Sequence, residues 1–258
     1  MKQTRSPLWI ILLLITAFLA GTGNTTLPAQ TGITAERILD KLDENMYSTT
    51  IIYTAKMVIT RGSRIDEKIM KVWGEGKDKG YIEFLEPARD KGTKYLKLED
   101  NLWMYLPNVE KVIKISGHLL RQSMMGSDFS YEDSMERSKM REDYSAVLLG
   151  EEAIKGRPCF ILELTAAKRE VTYYRRKIWV DKEQYIALQS ELYAKTGKLL
   201  KVMTTQKIEQ FKGRNYATHI TMTDKLKRNS RTEIILGEMQ FDVEIPPSTF
   251  TRRNLEKK

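Results

Sequence analysis

The chain has little of the residue types that build disulfide frameworks and metal clusters. It contains one cysteine and two histidines among 258 residues. One cysteine excludes a disulfide framework, and the three residues together exclude a zinc cluster of Cys and His ligands. Only seven prolines and fifteen glycines are present, which excludes collagen-like and low-complexity chains. With 41% hydrophobic and 30% charged residues, the composition is that of an ordinary globular protein.

The sequence also lacks the motifs of common enzyme classes. It has no Gly-x-Ser-x-Gly elbow, phosphate loop, Gly-x-Gly-x-x-Gly fingerprint or His-Glu-x-x-His motif. His118 and His219 are isolated, and Cys159 lies in an apolar segment as a small hydrophobe would. Carboxylates are plentiful, so counting leaves a glycosidase-like pair open, but no pair stands out. We therefore predict that the protein is not an enzyme and needs no cofactor or metal.

Residues 1–29 are predicted to be a secretory signal peptide. Lys2 and Arg5 precede the uncharged run Leu8–Ala20, whose 13 residues are fewer than the roughly 20 that span a bilayer as a helix. Small and polar residues follow, and we expect cleavage after Gly23 or, preferably, after Ala29. An uncleaved N-terminal anchor is the alternative. The prediction places the mature chain in the periplasm.

The position of the single cysteine bears on lipid anchoring, and the net charge of the mature chain bears on the kind of partner it binds. Cys159 is far from the apolar run, so the lipid-attachment cysteine of bacterial lipoproteins is missing. Removal of residues 1–29, which hold two basic and no acidic residues, changes the formal charge from +9 to +7. An exported protein does not meet chromosomal DNA, so no nucleic acid is expected. The basic excess favours anionic lipid head groups or an acidic partner, or it is an ordinary solvated surface.

The mature chain is predicted to be mainly β, with one helix at its start. The segment Thr34–Tyr47 carries apolar residues at i, i+3 and i+4 spacing, and Thr34 is a candidate cap. From Thr49 to Thr60 the pattern changes to alternation, which is typical of a half-buried antiparallel strand. Turn signals separate further short segments of this kind, and we expect about eleven strands. A sheet of that size curls or closes.

Residues 116–142 interrupt the strand pattern. We expect a short helix over His118–Met125, an ordered loop, and a second helical turn near Ser134–Met140. A fully closed barrel would leave these helices outside it. We therefore predict a single domain, residues 30–258, built as a half-open antiparallel β-barrel in which residues 116–142 form a helical lid.

Four stretches of sequence resemble a known family. They are Asp100–Pro107, Lys111–Ser116, Met125–Asp133 (MGSDFSYED) and Phe241–Phe250. Through them the chain resembles, over about residues 33–252, the periplasmic lipoprotein-carrier superfamily (LolA- and LolB-like), and within it the outer-membrane lipoprotein-sorting-like group. The resemblance implies an unclosed β-barrel with a helical lid and an apolar cavity that shelters acyl chains.

The resemblance also implies partners and a means of closing the lid. Cargo would come from an inner-membrane transporter and pass to an outer-membrane acceptor. The best-studied carriers pin the lid with an arginine that projects from a barrel strand. Arg61 and Arg64 are two candidate positions here, and the sequence assigns neither.

Apolar residues of the strands and the lid are the predicted lipid contacts. The segment Leu102–Leu106 is apolar on both faces, which indicates a cover on each side: a helix on one and a ligand on the other. Unbranched methionines offer an adaptable surface for acyl chains. The predicted contacts are Met57, Leu102, Trp103, Met104, Leu106, Leu120, Met124, Met125 and Phe129. Ordinary core packing is the alternative for each of them.

Polar residues of the lid form a second candidate group. They are Ser127, Asp128, Ser130, Tyr131 and Asp133. Three roles are open for them: orienting a lipid head group, holding the lid closed, or satisfying the backbone of their own loop.

The leading hypothesis is a monomeric periplasmic carrier of lipid or lipoprotein acyl chains that delivers them toward the outer membrane. The alternative is a non-enzymatic docking subunit of an envelope export or transport machine, with a filled core. Bound lipid distinguishes the two. The identity of the cargo, whether lipoprotein, phospholipid or another lipid, is left open by the sequence.

Overall fold

The structure, a computed structural model, describes residues 32–136, 139–168 and 171–257. The predicted signal peptide lies outside these residues. A compact unit begins at Ile33 and continues to the end of the chain. Within the described ranges, no helix has both the length and the apolar character that a membrane crossing requires.

Thirteen antiparallel strands make up one sheet in the described part of the chain. In chain order they are β1 (Thr50–Arg61), β2 (Arg64–Glu75), β3 (Lys79–Glu86), β4 (Lys94–Leu98), β5 (Asn101–Leu106), β6 (Lys111–Ile115), β7 (Tyr144–Ile154), β8 (Arg157–Ala166), β9 (Arg175–Asp181), β10 (Ala187–Tyr193), β11 (Leu199–Phe211), β12 (Arg214–Asp224) and β13 (Ser230–Phe241). The expected total of about eleven strands was slightly too low.

The order of the strands leaves the sheet open. It runs β6-β5-β4-β3-β2-β1-β13-β12-β11-β10-β9-β8-β7, so the first and last strands of the chain pair at the centre. Among the described strands, β6 and β7 each have one neighbour and form the two edges. The chain crosses from one edge to the other through residues 116–143. The prediction of a curved, mainly β architecture that does not close is confirmed.

Helix α1 (Ala35–Met46) forms where the periodicity predicts it. The Thr34 side chain accepts a hydrogen bond from the backbone N–H of Arg37 at 3.2 Å and so caps the first turn. The buried face of α1 packs on one face of β7, β8 and β9. The residues in this contact include Ile38, Leu39 and Leu42 of the helix and Leu162, Leu164 and Ile178 of the strands.

The lid, residues 116–142, is helical in short pieces. It contains two 3-10 turns, Gly117–Arg121 and Met124–Gly126, and the helix α2 (Tyr131–Met135), and it runs into α3 (Met140–Asp143). The continuous helix expected over His118–Met125 was wrong. Ser123 is extended and pairs with Ser130, so the chain folds back on itself within that stretch.

Capping chemistry sets the start of α2. The Ser130 side chain accepts from the backbone N–H of Asp133 at 3.2 Å, and the Asp133 carboxylate accepts from the backbone N–H of Ser130 at 2.6 Å. This reciprocal capping box begins the helix three residues before the helical turn expected near Ser134–Met140. Residues 137 and 138 of that expected turn lie outside the described residues.

The segment after β13 covers the other face of the sheet. It contains a 3-10 turn, Pro247–Phe250, and the short helix α4 (Arg252–Leu255). Its buried residues Ile245, Phe250 and Leu255 pack on Tyr81, Leu96 and Tyr105. The lid packs on the opposite face, against a cluster that includes Leu102 and Ile115. The segment Leu102–Leu106 is therefore apolar on both faces because protein covers both of them.

Candidate ligand-binding site

A cavity of about 380 Å³ lies between the end of α1, the lid and the sheet. Strands from both halves of the sheet line it, from β1 to β5 and from β9 to β13. Because these strands lie far apart in the strand order, the sheet must curve to bring them around one space. The volume falls in the range of about 300–1,000 Å³ that is usual for ligand pockets.

Methionine is the most frequent residue type in the lining of this cavity. Eight of the twelve methionines of the chain contribute to it: Met46, Met57, Met70, Met124, Met135, Met140, Met203 and Met222. Their unbranched side chains have several rotatable bonds and a polarisable sulfur, so they adapt to partners of irregular shape. The surface therefore suits a flexible apolar ligand better than a rigid one.

Four of the nine predicted lipid contacts line the cavity. They are Met57 on β1, Leu102 on β5, and Met124 and Phe129 in the lid. The structure brings them together because the lid packs on the same face of the sheet as Met57 and Leu102. Their contact with a lipid is still a prediction.

The other five predicted contacts are not brought to the cavity. Met104, Leu120 and Met125 pack against the core beside it, and Leu106 is not part of the lining. Trp103 lies on the opposite face, where the segment after β13 packs. Neighbouring side chains on a strand point to opposite faces, so Leu102 and Trp103 cannot both face the same space.

Most of the cavity wall comes from residues that the sequence did not predict. Strands β9–β13 contribute Arg176, Leu192, Met203, Ile220, Met222 and Ile234, among others. Alternation places these residues on one face, but the sequence does not show which face is concave. Met203 and Met222 are register partners on β11 and β12. As methionines, they were the residues from which this part of the wall could have been predicted.

Asp128 fastens the lid to the central strand β13. Its carboxylate accepts hydrogen bonds from the Ser230 hydroxyl at 2.7 Å and the Thr232 hydroxyl at 2.8 Å. The Thr232 oxygen accepts in turn from the backbone N–H of Asp128 at 2.9 Å. The Asp128 side chain is fully buried, with Lys227 at 3.6 Å. Both of its carboxylate oxygens are thus engaged by protein donors.

Asp133 makes a second attachment, on the other side of the lid. One carboxylate oxygen accepts from the Tyr173 hydroxyl at 2.5 Å, and the other pairs with the ammonium of Lys201 on β11. Burial, together with the Asp133 charge, raises the pKa of Tyr173, which is therefore a neutral hydrogen-bond donor. The same carboxylate caps α2, so one side chain orders the lid and binds it to the sheet.

An arginine that projects from a strand makes a third attachment. Arg176 on β9 is buried, and its guanidinium pairs with the Glu136 carboxylate, just after α2. It also lies over the ring of Tyr144, 4.8 Å from the centroid. Burial by itself would lower the pKa of Arg176, but the Glu136 carboxylate and the Tyr144 hydroxyl together outweigh burial and raise it. Neither Arg61 nor Arg64 makes this ion pair.

Two polar atoms in the cavity lining have no hydrogen-bond partner within the described part of the chain. They are the Oγ of Ser48, after α1, and the Nε of Arg176. Both residues are at least nine-tenths buried. Buried donors normally find an acceptor, in protein, water or ligand. The cavity can therefore bind a ligand that combines an apolar body with polar acceptor atoms.

Asp43 joins α1 to α3 beside the same cavity. Its carboxylate accepts from the backbone N–H groups of Met140 and Arg141, each at 3.0 Å. Burial raises the pKa of Asp43, and the two N–H donors oppose that rise without cancelling it.

The cysteine and the two histidines, which are the residues that could suggest catalysis, lie in separate parts of the fold. The Cys159 thiol is buried, and burial raises its pKa. His219 pairs with Glu233 at 2.8 Å on β12 and β13, and His118 is exposed in the lid. No group of three or more His, Cys, Asp or Glu with metal-binding geometry occurs among the described residues.

Comparisons with known proteins point to one superfamily. A protein-family model described as "Uncharacterized protein" matches residues 76–257. A DUF1329 family protein from Desulfovibrio piger has a TM-score of 0.80 at 29% identity, over 86% of this chain and 97% of that chain. No curated protein matches this sequence.

Two further solved structures are similar to this chain. A putative outer membrane lipoprotein-sorting protein domain from Vibrio parahaemolyticus has a TM-score of 0.77 at 25% identity, over 86% of this chain and 98% of that chain. A LolA superfamily protein from Nitrosomonas europaea has a TM-score of 0.74 at 26% identity, over 86% of this chain and 100% of that chain. The similarity in both covers nearly the whole folded unit.

Proposed function

The chain belongs to the LolA superfamily, in the family whose model matches residues 76–257, and from this premise we propose that it is a periplasmic carrier of acyl chains. The cargo is a lipid or a lipoprotein. The methionine-lined cavity under a closed lid is the observation that carries the proposal. The carrier binds without covalent chemistry and passes its cargo toward the outer membrane.

Burial of acyl chains supplies the binding energy. Each methylene transferred from water to an apolar site contributes about 0.8 kcal/mol, so one long chain gains roughly 10 kcal/mol before the ordering of chain and lid is subtracted. A gain of that size makes release slow unless the lid opens. The three attachments at Asp128, Asp133 and Arg176 are among the contacts that opening must break.

The lining favours an amphiphile over a pure hydrocarbon. Arg176 Nε and Ser48 Oγ are available to ester or amide oxygens of the cargo. An acylated glycerol or an acylated protein terminus offers such acceptors next to its chains. The polar lid residues Asp128 and Asp133 serve closure in this proposal, since their oxygens already have protein partners.

The docking-subunit alternative predicts a filled core. The cavity of about 380 Å³ favours the carrier over that alternative. Native mass spectrometry decides between them. The chain would be exported into a bacterial periplasm, purified, and examined for bound lipid, which solvent extraction then identifies.

A matched pair of variants tests whether any bound lipid occupies the cavity. Ala217 lines the cavity on β12, whereas Ala153 is exposed on β7. We expect a stoichiometric lipid adduct in the natural chain, its loss in Ala217→Trp, and its retention in Ala153→Trp. An apo mass in the natural chain, with no uptake of offered phospholipid or acylated peptide, would refute the carrier function and favour the docking subunit.

A further inference from the structure

The turns at one end of the sheet form a surface that the cavity does not involve. Because the strand order is β2-β1-β13-β12-β11-β10, the turns β1–β2, β12–β13 and β10–β11 follow one another. Gly62 N–H donates to Asn229 O at 2.9 Å, and Lys225 N–H donates to Leu200 O at 2.8 Å. We call residues 61–65, 194–198 and 225–229 the basic turn surface.

This surface carries charge of one sign. Its exposed basic residues are Arg61, Arg64, Lys195, Lys198, Lys225 and Arg228, and none of its residues is acidic. Two carboxylates of adjoining strand residues are paired outside the surface, Asp66 with Arg89 and Glu67 with Lys56. A third, Asp224, pairs with Lys227 of the surface, which is why Lys227 is not counted among the six exposed cations. The other end of the sheet is different, since the β4–β5 turn there is Glu99-Asp100 and the chain leaves β13 through Asp242 and Glu244.

Two large aliphatic side chains project from the basic turn surface. Leu226 is 57% exposed and Ile65 is 64% exposed. Exposed aliphatic residues surrounded by cationic ones are the combination that binds an anionic bilayer. The cations are attracted to the head groups, and the aliphatic side chains enter the boundary with the acyl chains.

We propose that the basic turn surface docks the protein on an anionic phospholipid bilayer, with Leu226 and Ile65 entering the head-group layer. The docking needs neither the cavity nor its cargo. It would bring the lid close to the membrane, because Lys227 of the same turn donates to the Ser123 hydroxyl at 2.7 Å and to the Ser127 carbonyl at 2.8 Å.

Vesicle co-sedimentation tests the docking. The chain used begins at Gln30, because every described helix and strand lies after that residue and the apolar run Leu8–Ala20 would itself bind lipid. Two vesicle types are compared: phosphatidylcholine alone, and phosphatidylcholine with about one third phosphatidylglycerol. We expect binding to the anionic vesicles that is at least 10-fold tighter and that weakens with added salt.

Variants at the two ends of the sheet locate the contact. Lys225→Gln with Arg228→Gln should weaken binding to anionic vesicles by roughly 25-fold, at about fivefold per charge. Leu226→Ser should weaken it by about 10-fold. The matched controls are Lys155→Gln with Lys212→Gln, exposed basic residues at the other end of the sheet, and Val147→Ser on β7. These controls should bind as the natural chain does, and circular dichroism checks that every variant is folded.

Three results would overturn the proposal. One is equal affinity for the two vesicle types, and another is weakening of the same size in the control pair. The third is binding to an acidic protein or to nucleic acid, but not to vesicles, that the Lys225 and Arg228 changes abolish. Lipid bound in the cavity is measured in a separate experiment, with the cavity variants. If that experiment refutes the carrier function, the result of vesicle co-sedimentation can still be interpreted.

Discussion

Asp128 in the lid and Thr232 at the centre of the sheet exchange a reciprocal pair of hydrogen bonds. The Asp128 backbone N–H donates to Thr232 Oγ1 at 2.9 Å, and that hydroxyl donates to the Asp128 carboxylate at 2.8 Å. Both residues are almost fully buried. One hydroxyl thus bonds both the main chain and the side chain of the same lid residue.

Loss of the Thr232 hydroxyl should therefore loosen the lid. Thr232→Val keeps the shape of the side chain and leaves a buried N–H and a carboxylate oxygen without this partner. We expect a loss of about 2–4 kcal/mol in the free energy of unfolding. Urea unfolding measures it, and limited proteolysis should cut first within the lid. Thr232→Ser retains the hydroxyl and is the control; an equal loss in both variants would contradict the role of the hydrogen bonds.

The pair of Arg176 and Glu136 gives a second prediction. Glu136→Gln removes the charge that balances a buried guanidinium. Because the Glu136 side chain is 29% exposed, we expect a loss of about 1–3 kcal/mol, below the full effect of breaking a buried ion pair. Faster exchange of bound lipid should accompany the loss.

Glu132→Gln, one turn earlier in the lid, is the matched control. Glu132 lies 3.8 Å from Arg121, whose side chain is 80% exposed. Burial raises the pKa of Glu132, so a neutral side chain there should leave the protein at least as stable as the natural chain. Equal effects of the Glu136 and Glu132 replacements would show that Arg176 does not hold the lid.

Asp43 makes the stability depend on pH. Its pKa in the folded protein is raised above the ordinary 3.8, so the folded state binds this proton more tightly than the unfolded state does. The resulting stabilisation is complete below the unfolded pKa and is lost as the pH rises through the folded pKa. Asp43→Asn, which is neutral at every pH, should be at least as stable as the natural chain near pH 7.

The difference between the two chains should shrink as the pH falls toward about 4. Thermal unfolding at a series of pH values measures it. Parallel pH profiles of the natural chain and Asp43→Asn would contradict the assignment of this dependence to Asp43.

Cys159 should be chemically inert while the protein is folded. Its thiol is buried and donates to the Arg157 carbonyl at 3.3 Å, and burial raises its pKa, so little reactive thiolate forms. Alkylation by iodoacetamide should proceed only as fast as the protein opens. A cysteine placed at the exposed Ala153 should react rapidly in the folded state. Rapid modification of Cys159 itself would reopen the possibility of a nucleophilic role.

Local patterns predicted much of the fold. The apolar spacing of Ile38, Leu39 and Leu42 specifies a helix, and alternation after Thr49 specifies strands, because both depend only on the geometry of a short segment. The turn signals between strands placed the hairpins correctly. The stretch Met125–Asp133, which the sequence marks as a candidate site, contains Asp128 and Asp133, two of the residues that fasten the lid.

The candidate site was predicted less completely. Met57, Leu102, Met124 and Phe129 were found, yet Trp103 lies on the other face and the whole wall from β9 to β13 was missed. A segment that is apolar on both faces gives no sign of which face is concave. Likewise, nothing near Arg176 in the sequence indicates Glu136, since the two residues are 40 positions apart.

By itself the sequence determined the strand-rich architecture, the N-terminal helix and the likeness to lipoprotein carriers, because each rests on residues close together in the chain. Only the tertiary structure decided which face of the sheet encloses the cavity and which residues fasten the lid. Curvature is a property of thirteen strands together, and contacts such as Asp128 with Thr232 join residues 104 positions apart. The cavity and its closure therefore exist only once the sheet has curved and the lid has packed against it.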